Sequence, residues 1–490
     1  MRSLPILPTL LFATLVSAQN HRMRHWYFGD HAGIDFSSGE PVVVNNGELS
    51  SWEASATISD PEGNLLFYTD GRTVWNREHG IMDNGTQLFG DQSALKGVLI
   101  APLPGSDHLY HILTTATHFR YHVVDMDLNG GLGSVVLKNQ TLEGTTTESL
   151  AGTLHCNKQD FWIISRTWNQ EDPFVNDTMH FQIRGLTDAG LSEPVVQTYH
   201  FGPHYKSLYD HPTFSPSGSL FSYSTLTSNI YLFDFDTDTG TLTFRDSIDF
   251  EIHEDDPYSE KVYSTEFSPD ERKLYVVYWK QLAGFTFIAQ YDLEAPDITA
   301  SKVILDSIPI PAGLQYAWPA QGRLQLGPDG RIYASRFRSV GQYFVRDTLD
   351  AILHPDVLGM GATYQRDFLP LEGGHTTCGL PAFISNYGLS DVGPPDCPLV
   401  AGIHGPEATA EMSVLPNPSR DHRFTIRLSE HLAQADRIVI SDPTGALVLS
   451  ELVRKRSSVD IAAEHLSSGL YFITLHGAEG PLCTRKVVLD

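Results

Sequence analysis

The chain has 490 residues, with 33 basic against 59 acidic side chains and a formal net charge of −26. That length exceeds what a single hydrophobic core serves, and 41% hydrophobic with 11% aromatic residues excludes a disordered chain. The acidic balance disfavours nucleic acid and anionic membrane surfaces as partners, while 40 Gly and 29 Pro describe a turn-rich, all-β protein.

Residues 1–18 read as a secretory signal peptide: Arg2 supplies the positive end, Leu4 to Val16 the apolar stretch, and Val16-Ser17-Ala18 the small-residue cleavage pattern. No later apolar run reaches the ~18 residues that a transmembrane helix needs. The four cysteines of an exported chain can be oxidised. Cys378 and Cys397 flank a Pro- and Gly-containing segment and are the favoured disulfide among several open connectivities, with Cys156 and Cys483 read as buried thiols.

A strand–turn–strand unit recurs along residues 26–387. Clear copies are Ile58-Ser59-Asp60-Pro61-Glu62-Gly63-Asn64, Phe214-Ser215-Pro216-Ser217-Gly218, Phe267-Ser268-Pro269-Asp270 and Leu326-Gly327-Pro328-Asp329-Gly330. Weaker ones begin at Ala101 and Cys156. Pro presets the turn, Gly supplies positive φ, and Asp or Ser caps its own backbone, so each unit predicts a hairpin. The mean step of about 54 residues is near the period of β-propeller blades and predicts a ring of about seven. Strands near Thr363 to Ile384 should join the N-terminal strand Trp26 to Phe28 in one blade, closing the ring. Stacked β-sandwiches are the rival architecture, but they show no such regular step.

Residues 388–410 lose the alternation and carry Gly393-Pro394-Pro395, which marks a linker. Residues 411–490 form a separate small β-sandwich, with alternating runs at Arg423 to Leu428, Arg437 to Ser441, Ala446 to Val453, Leu470 to His476 and Leu482 to Leu489.

Four blocks in this tail carry a family resemblance. They are Val414-Leu415-Pro416-Asn417-Pro418-Ser419, Ile438 to Gly445, Leu466-Ser467-Ser468-Gly469-Leu470-Tyr471-Phe472 and Arg485-Lys486-Val487-Val488-Leu489. In order and spacing they resemble the type A sorting domain of the type IX secretion system, with Pro416, Asn417, Pro418, Gly469, Tyr471 and Lys486 as its motif residues. The resemblance implies Sec export, handling by the type IX machinery, removal of the tail, and a final place in the medium or on the outer-membrane surface of a Gram-negative bacterium. The larger part, through Trp26-Tyr27-Phe28-Gly29, Ala32 to Gly39, Leu65 to Gly71, Leu128 to Gly133 and Gly379-Leu380-Pro381, is similar to exported propellers on the surface of gliding bacteria. Ser51-Trp52-Glu53-Ala54-Ser55 departs from that pattern.

Chemistry is thinly marked. Asp125, Asp127 and Asn129 place oxygen ligands at alternate positions before Gly130, as a calcium loop would, yet Val136 stands at the twelfth position and Gly133 at the ninth. The alternative is a Gly-rich turn without a cofactor. His200 and His204 are separated by Gly202 and Pro203, which forbid the helix that would align them. No G-x-S-x-G, H-E-x-x-H or P-loop occurs. These features favour a binding or adhesion module for glycan or protein ligands, with Trp168, ahead of the polar turn Asn169 to Pro173, as the ligand-stacking candidate. A secreted hydrolase or lyase acting at the channel mouth is the alternative.

Overall fold

A computed structural model describes residues 21–387, 393–397 and 412–489, apart from 117, 168–175, 205–208, 227–228, 251–259, 281–283, 311–320, 337–338, 341–342, 345, 416–418, 420–421, 429–435, 443–446, 454–455 and 478–479. The chain divides into two compact units, Met1–Pro398 and Leu399–Asp490. Among the described residues there are strands and short 3-10 turns but no α-helix.

The first unit is a β-propeller made of antiparallel sheets that follow one another in chain order. Sheet A pairs His25–Phe28, Ala32–Asp35 and Val42–Val44, and sheet B pairs Ala56–Ser59, Leu65–Thr69 and Val74–Asn76. Sheet C takes Val98–Pro102, Leu109–Thr115, His118–Asp125 and the first part of the long strand Ser134–Leu154. That strand crosses into sheet D, where its later residues pair Phe161–Thr167, followed by Asn176–Thr187 and Val195–His204. Sheet E holds Thr213–Phe214, Leu220–Tyr223, Ile230–Asp236 and Thr241–Ile248. Sheet F holds Glu260–Phe267, Lys273–Lys280, Phe285–Asp292 and Val303–Pro309. Sheet G holds Gln321–Leu326, Ile332–Arg336, Thr348–Ile352 and Tyr364–Pro370.

The recurring turn joins the first two strands of sheets B to G. Its backbone N–H closes back three residues, as Gly63 to Asp60, Lys158 to His155, Gly218 to Ser215, Glu271 to Ser268 and Gly330 to Gly327. The closing residue has φ between 59° and 93°, a left-handed conformation that Gly adopts freely. Lys158 and Glu271 hold it without that freedom, at a cost of about 1 kcal/mol or more each.

Packing between sheets closes the ring. Tyr27, Leu49, Tyr68 and Trp75 join A to B, and Ile58, Phe67, Val98 and Ile112 join B to C. Leu99, Leu113, Phe161 and Ile163 join C to D, while Ile164, Phe181, Phe221 and Phe233 join D to E. Leu232, Ile248, Val276 and Tyr291 join E to F, and Tyr275, Ile288, Leu324 and Ile332 join F to G. Trp26, Phe28 and Ile34 of sheet A then pack on Tyr333, Leu349 and Ala351 of sheet G.

The closure differs in detail from the sequence expectation. Tyr364–Pro370 stays in sheet G, and only the chain after it returns to the N-terminal strands. His375 bridges Asp30 in antiparallel fashion and Ala382 bridges Ala56 in parallel, so residues 375–384 run along the ring's inner wall between sheets A and B. The disulfide also differs: Cys397 bonds Cys156, 241 residues away, and the expected Cys378–Cys397 pair does not form. Cys378 lies on the inner-wall segment as a free, buried thiol whose backbone N–H bonds Trp52 and whose carbonyl takes the Arg323 N–H. Its place in the wall commits it, whereas Cys397 lies beyond the wall and reaches the turn after Leu154 beside the Lys158–Asp396 ion pair.

The second unit is a two-sheet sandwich. One sheet pairs Met412–Leu415, Arg423–Leu428 and Ser458–Ala462. The other orders Leu447–Leu452, Arg437–Ser441, Gly469–Gly477 and Gly480–Leu489. Phe424, Ile426 and Ile461 from the first and Ile438, Ile440 and Ile473 from the second fill one apolar core.

Candidate functional site in the propeller channel

The first strands of sheets B to G touch one another in succession and line the centre of the ring. At the start of these strands stand ionisable groups drawn from different sheets. Glu53, before sheet B, accepts a hydrogen bond at 2.7 Å from Tyr263 Oη of sheet F. Asp210, before sheet E, is 1% exposed and accepts at Oδ2 from Thr147 Oγ1 at 2.7 Å and Tyr223 Oη at 3.2 Å. Tyr223 Oη in turn accepts from Arg166 Nη1 at 2.7 Å. Ser149 Oγ lies 2.5 Å from the Leu95 carbonyl and 2.6 Å from that of Asp210, tying sheets C, D and E at this end. Glu148 sits between Thr147 and Ser149.

These groups are only partly satisfied. Glu148 Oε2, Asp210 Oδ1 and His211 Nε2 are buried and meet no hydrogen-bond partner among the described residues. Burial raises the Glu53 carboxyl to about 8, helped by Glu148 and Asp91 and opposed by the Tyr263 hydroxyl. Burial, with Asp210 and Asp91, raises Glu148 to about 7. Burial raises Asp210 to about 6 against the pull of Arg166. Glu148 thus acts on Glu53 and Asp210 on Glu148, so these carboxyls form a linked series of raised acids. Such a set can exchange hydrogen bonds with hydroxyl or amine groups, and its members can give or take a proton.

Sequence reasoning passes over Glu148 and Asp210, meets Glu53 only within the stretch that departs from the resembled pattern, and reads His211 as one of several histidines near a repeated turn. A signal was present: Glu53, Lys96 and Glu148 each stand seven positions ahead of the first residue of a recurring turn, at Asp60, Leu103 and His155. A charge at a fixed place in an otherwise apolar inner strand marks the ring's centre.

The residues that were singled out are scattered. Trp168 lies outside the described residues, as do Pro416, Asn417 and Pro418. Asp125 ends the strand His118–Asp125 and accepts from the Asp127 N–H at 3.0 Å, while Asn129 opens the 3-10 turn after it. His108, unforeseen, brings a ring nitrogen within 4.8 Å of both carboxylates, a set that could hold a cation. His155 similarly approaches Cys156 and Cys397. His200 Nδ1 lies 3.0 Å from Thr178 Oγ1. In the tail, Tyr471 Oη donates to the Ser467 carbonyl at 2.9 Å, Gly469 opens its strand, and the Lys486 backbone pairs with Phe472.

Residues 413–490 match the family of secretion system C-terminal sorting domains. The tail is a type IX sorting domain. The chain is therefore a propeller protein delivered by type IX secretion to the medium or the outer-membrane surface. No helix among the described residues is long and apolar enough to cross a membrane. No curated protein matches the chain. Among solved structures it is similar to the periplasmic gluconolactonase of Pseudomonas aeruginosa, at 11% identity and a TM-score of 0.44, covering 73% of this chain and 99% of that one. It is also similar to the Swd1 β-propeller domain of Myceliophteria thermophila, at 10% identity and 0.39, covering 64% and 94%. An oligogalacturonate lyase in complex with manganese aligns at 12% identity and 0.36, covering 72% and 78%.

Proposed function

We propose that the chain is a surface-delivered, seven-bladed propeller that binds a hydroxyl-rich ligand, a glycan, at the Glu53–Glu148–Asp210 end of its channel. The observation that carries this reading is the pair of buried carboxylate oxygens, Glu148 Oε2 and Asp210 Oδ1, without partners among the described residues. A buried acceptor left unpaired costs about 1–3 kcal/mol, so a ligand offering hydroxyl donors gains what the fold forgoes. The reading assigns no cofactor.

Full-length chain screened by calorimetry against surface glycans should bind without consuming them. Glu148→Gln should weaken binding about tenfold or more, because a charge-assisted acceptor is lost. A second reading, hydrolase or lyase, draws support from Glu148, whose carboxyl titrates near 7 as a general acid–base requires. Multiple turnover of a glycan or ester, abolished in Glu148→Gln, would replace binding by catalysis.

The export route adds two cleavages to the proposal. The mature protein should begin at Gln19 and lack the sorting domain, which N-terminal sequencing and mass spectrometry of secreted material will check. A full 490-residue chain on the cell surface would contradict both.

A further inference from the structure

Within the ring lies a small cavity of about 30 Å³, partly open to solvent, on which Lys96, Thr213, Glu266, Arg323, Gln325 and Phe383 converge. Its two cations come from different sheets and both are deeply buried, Lys96 at 8% and Arg323 at 3% exposure. Neither is held by a carboxylate. Lys96 Nζ donates to the Pro212 carbonyl at 2.8 Å and to Thr213 Oγ1 at 2.7 Å, both neutral acceptors. Arg323 donates from Nη1 to the Leu380 carbonyl and from Nη2 to Gln325 Oε1, each at 2.7 Å, and its Nε is buried without a partner among the described residues.

The one acid on the pocket is turned away from them. Glu266 Oε1 accepts from the Phe267 N–H at 3.1 Å, and its Oε2 accepts from the Leu326 N–H at 3.2 Å. No ion pair joins it to Lys96 or Arg323 among the described residues. Burial, together with Arg323, lowers the Lys96 ammonium from its ordinary range, against the opposing fields of Glu266 and Asp210. Glu266 also acts on Arg323, so two buried cations share the one acid on the pocket, a costly arrangement unless a further counter-charge completes it.

We propose that this pocket binds a small inorganic anion, chloride being the first probe, between the Lys96 ammonium and the Arg323 guanidinium. The buried Arg323 Nε–H is a ready donor, and the third Lys96 proton is not used by the two contacts above. Met23, Phe214 and Phe383 supply an apolar wall that suits a weakly hydrated ion. This site uses none of the mouth carboxylates proposed for glycan binding, so either reading can fail alone.

The test is thermal melting of the full-length chain in sodium chloride and in sodium gluconate at equal ionic strength, gluconate being too bulky for the pocket. Chloride should raise the melting temperature in a saturable manner, by about 2 °C or more once the site is filled. Lys96→Met should lose the response and be no less stable than the parent in gluconate, since it removes one of two buried cations that share the pocket's single acid. Equal melting of the parent in both salts overturns the proposal, as does a Lys96→Met variant that keeps the chloride response. Should that variant fail to fold, bromide soaked into crystals of the parent decides: an anomalous peak beside Arg323 Nε supports the site, and its absence refutes it.

Discussion

The two units of this chain bury different things. Among the described residues of the sorting domain, Ser419 is the one buried polar side chain, and the core is otherwise aliphatic and aromatic. The propeller buries Glu53, Lys96, Arg166, Asp210, Glu266 and Arg323 at its centre. An apolar core of the same volume would be as stable or more so. A sorting domain that the proposed export route removes gains nothing from buried charge, and the sandwich carries almost none. Retention of such groups where the blades converge is what the ligand site proposed at the propeller's centre calls for.

The largest effect expected from breaking this contrast follows Asp210→Ala. The substitution takes the acid out of the buried Asp210–Tyr223–Arg166 chain and removes the acceptor to which Thr147 and Tyr223 donate, at about 3–5 kcal/mol. Urea unfolding should show the propeller transition shifted and the tail transition unmoved. The mirror experiment is Ile440→Ala, which should cost about 2–5 kcal/mol by cavity formation in the tail alone. Cys397→Ser should lower propeller stability by about 2–4 kcal/mol, because the lost crosslink spans 241 residues. Reduction of the parent should reproduce that loss.

The smallest effect is in pH dependence. Glu53 and Glu148 are held protonated above their ordinary range, so the folded propeller binds more protons than the unfolded chain. Their contribution is therefore complete at low pH and is lost as pH rises from about 4.5 toward about 8. Lys96 acts in the opposite sense, because its lowered ammonium favours the fold as pH rises toward the usual lysine range. Glu53→Gln, which keeps an acceptor for Tyr263, should flatten the decline in propeller melting temperature between pH 5 and 8. An unchanged slope would mean that Glu53 is ionised in the fold.

The propeller's architecture was legible because its turns are local. Ser215 to Gly218 and Gly327 to Gly330 announce themselves within four residues, and each stands where a first strand hands over to a second. The tail's runs at Arg423–Leu428 and Arg437–Ser441 fell out of alternation alone, while Met412–Leu415 and Ser458–Ala462 were too short or too polar to register. What sequence could not supply was pairing at long range. Cys156, in the turn of sheet D, meets Cys397 because the chain folds back after its last sheet, and Glu53, before sheet B, meets Tyr263 of sheet F across the ring's centre. The channel groups were invisible for a related reason, since each blade contributes only one or two of them.

The return of residues 375–384 to the N-terminal sheets has a consequence for how the molecule is made. A ribosome delivers His25–Phe28 first and its inner-wall neighbour some 350 residues later, at synthesis rates of about 5–20 residues per second. For most of its birth the nascent propeller is an open arc with exposed strands at both ends, and the latch is the last stretch made before the address label. Any chain cut short before residue 375 would lack both latch and label together. The fold and the export signal thus share one checkpoint, and a molecule that carries its address has also been given the means to shut.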